Sequence, residues 1–493
     1  MDNIFLQNLE QTCSQTYTEN GAIAVNSTGS ALLDLFSVAG ALRNRINDVE
    51  EKFLKAYKEN PELATKLAFY TRDIRGGLGE RTVGRYMLFL LAKENPEVIR
   101  ENIALIPFYG RYDDLFILFN TPCENDMISY VRDILVQDWT NMKEEKPVSL
   151  LAKWMPSINA SSEDTKAYAR RFIKAFNTSP EIYRKLLTKL RKYLKVTEGL
   201  MSKKEWDKIQ YAQVPSYAMN RYGNAFFRND EDRFSAYLRD VKAGKEEIKA
   251  STLYPYDIIE KYMNRVSNTV YLREENAVLE EQWKALPNYI EGENNYLVMA
   301  DLSGSMYGRP MGTSIGLAIY FAERNKGAFS NKFLTFSSIP RLVNIQGENL
   351  LEKFQNLYKK DNVGYDTNIE KAFDAVLEAA IRTHCASEEL PKAIIIISDM
   401  EFNDYSIGGS DLNFYESMKS KFELAGYRMP KLVFWNVNSH KDTYHTFSNA
   451  KDCVLFSGQS ISTFKFLMGS LDMTPYEMME KVLNSDRYNL IKF

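Results

Sequence analysis

Six short apolar runs in the last two hundred residues constrain this chain more than any other feature. They are NYLVMAD, KFLTFSS, RLVNI, KAIIIISD, KLVFWNVN and CVLFSG. Each is far shorter than the ~18 apolar residues a membrane helix needs. Their apolar residues are consecutive rather than alternating, the pattern of strands buried on both faces of a parallel sheet. Helical patterns separate them: SIGLAIYFAERN, LLEKFQNLYKK, NIEKAFDAVLEAAIRT and NFYESMKSKFELAG. Strand alternating with helix predicts a doubly wound, Rossmann-like α/β sheet over residues 289–470. LDMTPYEMMEKVLNSDRY adds a C-terminal helix, so residues 471–493 are expected to pack on the body.

The first half has a different period. EKFLKAYKEN, PELATKLAFYTRDI, GERTVGRYMLFLLAKEN, DTKAYARRFIKAFN and SPEIYRKLLTKLRKYLK place apolar residues three and four apart, as amphipathic helices do. Proline follows asparagine at Asn60-Pro61 and Asn95-Pro96, a helix-start signal. No sequence period emerges. Residues 1–288 are therefore expected to form an irregular, HEAT-like array of helix pairs. The fold class is α + α/β, with the boundary in ALPNYIEGENN.

Composition excludes several classes. Net charge is -3, so the chain as a whole is not a polycation. Four cysteines without a CxxC and three histidines argue against zinc and fit a reducing compartment. The N-terminus lacks the basic start of a signal peptide and no membrane span is expected, so the expected location is cytoplasmic.

In open α/β sheets, ligands bind beyond the carboxyl ends of the strands. Asp301, Ser303 and Ser305 follow the first strand, Thr367 precedes a helix, and Asp399 with Glu401 follows the most apolar strand. Carboxylates with hydroxyls make an all-oxygen donor set, suited to a hard divalent cation: Mg²⁺ first, then Mn²⁺ or Ca²⁺. A haloacid dehalogenase-type phosphatase would want a second aspartate where Ser303 stands, and no GxxxxGK[ST] occurs. No nucleophile–base pair stands out, and His384, His440 and His445 lie away from these loops in sequence.

Asp301-x-Ser303-x-Ser305, Thr367 and Asp399 resemble, in order and spacing, the metal-ion-dependent adhesion site of von Willebrand factor A domains. The resemblance implies that both serines bind the cation directly, Thr367 directly or through water, and the two aspartates largely through water. Met400 and Glu401 stand where many members have glycine; Glu401 is a candidate outer-shell group. The whole layout resembles Ro autoantigen-type (TROVE) RNA-binding proteins, which pair helical repeats with such a domain. It also resembles a related family of plants, bacteria and phages. The segments that carry this likeness are YTRDIRGGLGER, PFYGRYDDLFIL, LLAKWMPS and QVPSYAMNRYGNAFFRNDEDRF.

The resemblance implies a non-enzymatic ribonucleoprotein component that binds small noncoding or structured RNA. Charge agrees locally: residues 1–290 hold 41 Lys and Arg against 40 Asp and Glu, but residues 151–250 hold 21 against 12. Arg72, Arg75, Arg81, Arg111, Lys153, Arg170, Arg171 and Lys174 are the candidate RNA contacts, with interleaved Tyr and Phe available for stacking. The alternative is a metal-dependent protein–protein assembly or structural component, even of a phage particle. A partner carboxylate would then complete the cation's shell and no RNA would bind.

Overall fold

The computed structural model describes residues 13–263, 275–290, 295–335, 339–357, 368–403, 414–467 and 471–493. A helical N-terminal region leads into a mostly parallel six-stranded sheet. The strands are β3 (Tyr296–Ala300), β4 (Lys332–Thr335), β5 (Leu342–Asn344), β6 (Ala393–Ser398), β7 (Lys431–Asn436) and β8 (Cys453–Ser457). Their spatial order is β5-β4-β3-β6-β7-β8. All neighbours are parallel except β5, which turns back antiparallel on β4 as the edge strand. Every residue of β3, β6 and β8 is buried, as their unbroken apolar sequences require.

The order is that of a doubly wound sheet. From β3 the chain first builds outward through β4 and β5, then crosses to β6 and builds the other way. Winding therefore reverses between β3 and β6, and their carboxyl ends open a crevice there.

The longer helices of the N-terminal region are α1 (Ala31–Val38), α2 (Val49–Glu59), α3 (Pro61–Arg72), α4 (Arg81–Glu94), α5 (Glu124–Lys143), α6 (Glu163–Ala175), α7 (Pro180–Tyr193), α8 (Ser216–Asn229) and α9 (Glu231–Lys242). The start signals act as expected at Asn60, whose side chain accepts from the Leu63 N–H at 3.0 Å, with Pro61 opening α3. At Asn95, proline opens the next helix but the asparagine makes no capping bond. The sequence reading did not anticipate a small antiparallel hairpin, β1 (Gln15–Tyr17) with β2 (Ile23–Val25), ahead of α1.

One hydrophobic core runs unbroken from the helical region through the sheet to the C-terminus. Phe36 of α1 packs on Phe456 of β8, with ring centroids 6.4 Å apart. Just after α1, Gly40 lies so close to Gly458 that a Cβ on Gly40 would sit 2.5 Å from the Gly458 Cα. The helix after β3, α10 (Arg309–Arg324), is buried from Met311 through Ala322. It packs on the sheet and on the short helix Pro255–Ile259 of the N-terminal region. A smaller second core gathers Tyr211, Phe226, Phe234 and Val278.

Asp73, fully buried after α3, ties down the C-terminus. Its carboxylate accepts from both the Nε and Nη2 of Arg487, from the Tyr488 hydroxyl at 2.9 Å and from the Arg75 N–H at 3.0 Å. Removing one partner of such a network leaves buried polar groups without compensation. Asp73→Ala is therefore expected to cost about 3 kcal/mol in chemical denaturation and to speed amide exchange selectively in residues 485–493.

Candidate metal centre

Asp301 and Ser303 lie just past the end of β3, and Ser398 ends β6 with Asp399 after it. All four are buried at the crevice where winding reverses. The Asp301 carboxylate accepts from the Ser303 N–H at 2.9 Å and from the Ser398 hydroxyl at 2.7 Å. That hydroxyl also lies 3.4 Å from Asp399 Oδ1, so it stands between the two carboxylates. The Ser303 and Ser305 hydroxyls are 3.1 Å apart. Thr367 lies outside the described residues.

Two buried carboxylates this close oppose each other's ionisation. Burial first, and then the charge of Asp399, hold the Asp301 carboxyl well above the usual carboxylate range. Asp399 Oδ2 is buried without a hydrogen-bond partner, and the His440 Nε2 stands 3.5 Å from it. His440 stands beside the pair as a counter-charge, and its interaction with the Asp399 carboxylate raises its pKa above the ordinary imidazole value. The atoms that converge are carboxylate and hydroxyl oxygens, the chemistry a hard divalent cation takes. Among the described residues no group of three or more His, Cys, Asp or Glu is arranged to hold a metal, so any such site has to draw on the serines. The residues present fit the cation that the sequence resemblance implies.

Met400 adopts φ +67°, in the left-handed region that favours glycine. Glu401 is buried and both its carboxylate oxygens are engaged: one accepts from the Glu19 N–H at 2.5 Å, the other from the Thr443 hydroxyl at 3.3 Å. The Asn20 amide and the Thr18 hydroxyl donate to the carbonyls of Glu401 and Phe402. The loop after Asp399 is thus stapled to the β1–β2 hairpin.

Folding also brings in groups that sequence reasoning left out. Ser398 had a signal, as the one hydroxyl in AIIIIS. His440 and Glu19 had none: His440 reaches Asp399 from the loop after β7, and its Nδ1 is 4.0 Å from the Glu19 carboxylate. His445 is buried, and its Nε2 lies 2.9 Å from the Met400 carbonyl. Burial pushes its pKa down to about 4. His384 lies elsewhere, ending the helix Ile369–Thr383.

The proposed RNA contacts scatter. Arg72 is a correction: it is 2% exposed and bound to the buried Asp114 at 2.8 Å, so it does not reach the surface. Its segment, YTRDIRGGLGER, is a packed turn, where a Cβ on Gly77 would lie 2.0 Å from the Tyr70 carbonyl oxygen. Arg75 is exposed and donates to the Phe108 carbonyl at 3.1 Å. Arg81 is exposed beside Asp113, and Arg111 lies over the Trp154 ring. Lys153 is 3.7 Å from Glu198. On α6, Arg171 is held by both oxygens of Glu124, whereas Arg170 and Lys174 are exposed. The aromatics of α6 and α7 are also a correction. Phe172 and Tyr183 are buried, and Tyr168 and Phe176 pack in the same core, because the helices turn those faces inward.

Comparison with known proteins adds the following. Residues 18–109 and 162–294 match the domain of unknown function DUF2828, and residues 295–489 match the domain of unknown function DUF7788. Uncharacterized protein L728 of Acanthamoeba polyphaga mimivirus is 29% identical over 507 residues, covering 95% of this chain and 87% of that protein. The crystal structure of the Deinococcus radiodurans RO (RSR) protein aligns over 93% of this chain and 100% of that chain, at 14% identity and a TM-score of 0.48. Agreement at that level transfers neither fold nor function.

A carboxylate with a raised pKa in the fold gives stability that is full below its unfolded pKa and is lost as pH rises through the folded value. Chelator-treated protein should therefore lose melting temperature from about pH 4 towards neutrality at this pair. Mg²⁺ should restore more at pH 7.5 than at pH 5, and Asp301→Asn should abolish that difference in thermal melting.

Proposed function

We propose that this chain is a binding protein and not an enzyme, with a cation-dependent site on the sheet and a nucleic-acid surface on the helical region. The observation that carries the first part is the buried Asp301–Asp399 pair, with Ser303 and Ser305 beside it, at the point where winding reverses. Asp301, Ser303, Ser305 and Asp399 would hold a divalent cation, Mg²⁺, Mn²⁺ or Ca²⁺, with Thr367 as the further donor implied by the resemblance to von Willebrand A domains. When bound, the cation would supply a net positive charge for an incoming ligand carboxylate. The chain's own groups do the positioning: Ser398 fixes Asp301, and the hairpin holds Glu401 and hence the loop of Asp399.

Binding is favoured over catalysis by the histidines. Among the described residues, the hydrogen bonds of His440 and His445 go to the Asn438 amide and the Met400 carbonyl, with His440 also facing Asp399, and neither ring is bonded to a serine or cysteine. The RNA part rests on the resemblance to Ro-type proteins and on the exposed cations of the helical region. A cation-dependent protein-assembly role without RNA is the second reading. The near-neutral balance of residues 1–290 favours it.

Capture from a source lysate separates these readings. Wild-type protein in Mg²⁺ should retain an acidic protein ligand that chelator and Asp301→Ala both release, and should retain RNA that neither releases. Protein capture that survives both treatments would remove the cation site from ligand binding. Capture without RNA would leave the assembly reading alone.

A further inference from the structure

The outer face of α4 brings cations and aromatic rings together beside a groove in the helical region. Arg81, Thr82, Arg85, Tyr86, Phe89 and Lys93 follow the three- and four-residue spacing of a single helix face. Arg81, Thr82 and Lys93 are exposed; Arg85, Tyr86 and Phe89 are half-buried. The Tyr86 and Phe89 rings lie nearly parallel, 15° apart in plane, with centroids at 6.1 Å. The Lys93 ammonium stands 4.4 Å from the Phe89 ring centre. A groove of about 490 Å³ runs along this face, with Ile46 and Ile117 on its other side. Tyr86 also packs against the core with part of its ring, whereas Phe89 lies outside that cluster.

Charge at the head of the groove is out of balance. Arg81, Arg85 and Arg111 all converge on one carboxylate, Asp113, at 3.0, 2.7 and 3.0 Å. Asp114 is shared by Arg85 and the buried Arg72. Four guanidiniums thus meet two carboxylates. α4 begins there at Glu80, which makes no capping bond and pairs instead with Arg43, and no acidic residue stands in its first turn. An anion at this point would meet Arg81, the Thr82 hydroxyl and the helix end together.

We propose that this face of α4 is a track for single-stranded nucleic acid. Phosphates would sit at Arg81, Thr82 and Arg85 and again at Lys93, with bases laid on Tyr86 and Phe89 between them. The inference rests on the nucleic-acid reading above and gives it a location and a strand state. A duplex keeps its base faces stacked on one another and offers nothing to the rings. An acidic or phosphorylated peptide would use the arginines and leave the ring pair unused.

The test uses full-length protein and a fluorescein-labelled 15-nucleotide oligouridylate, followed by anisotropy at low salt. Wild type should bind it at least tenfold tighter than a duplex RNA of equal length. Arg81→Glu/Lys93→Glu should weaken binding at least tenfold. It should also lower the salt slope by about 1.4, at about 0.7 per phosphate contact. Phe89→Ala should weaken binding about tenfold through lost stacking, and Arg170→Glu/Lys174→Glu, on the rival cations of α6, should weaken it less than Arg81→Glu/Lys93→Glu does. With wild type, a 4-thiouridine oligonucleotide should crosslink within residues 81–93, a readout that needs no variant to fold. If binding survives the α4 substitutions and falls with those on α6, the track is overturned and the RNA reading stands. If wild type binds no RNA at low salt, both fall. A phosphoserine peptide that competes with equal affinity, with no effect of Phe89→Ala, would make the groove a peptide site and overturn the inference.

Discussion

Two carboxylates buried side by side, Asp301 and Asp399, set the terms for the rest of the sheet. Moving ionised groups out of water is costly unless they are paired, solvated by fixed dipoles or neutralised. The fold answers with the Ser398 hydroxyl at the end of β6 and, from loops beyond the strand ends, the Ser303 N–H and the nearby His440 ring. Asp399 Oδ2 still has no hydrogen-bond partner. An arrangement that buries two acids and sets an imidazole 3.5 Å from one of them makes physical sense as a seat for further positive charge.

The same loops depend on parts of the chain far away in sequence. Glu401 binds the backbone of Glu19, and Asp442 is held by Arg45 and Lys52 of the helical region. α10 is buried on the sheet side and on the helical side alike. Gly40 and Gly458 meet backbone to backbone, and Asp73 locks the C-terminus onto the turn after α3. Helical region and sheet therefore share one core and bear on the candidate site together. A ligand bound at the strand ends touches loops that the helical region also holds.

How much of this was legible in the sequence differs by element. AIIIIS and YLVMA read as buried strands because nothing but a central parallel strand hides so continuous an apolar run. Asp301 and Asp399 were legible because each stands where such a run stops. The β1–β2 hairpin was not: its strands are three residues long, too short to show alternation. His440 carries no local pattern, and its approach to Asp399 is a product of β6 lying next to β7. For stacking, the sequence pointed to the basic helices with interleaved aromatics that became α6 and α7, and not to α4. Phe172 of α6 and Tyr183 of α7 are buried, while Tyr86 and Phe89 of α4 stay half-buried beside a groove. That difference is set by which neighbour covers each helix, and tertiary packing decides it.

The measurement that bears most directly on the central claim is calorimetric titration of chelator-treated, full-length protein with Mg²⁺ and with Mn²⁺, beside Asp399→Asn. Saturable uptake of one equivalent by wild type, with proton release that grows as the pH is lowered towards 6, and loss of that uptake in Asp399→Asn are the expected results. Absence of saturable binding in wild type, or uptake that Asp399→Asn leaves unchanged, would contradict the assignment of the strand-end carboxylates to a cation.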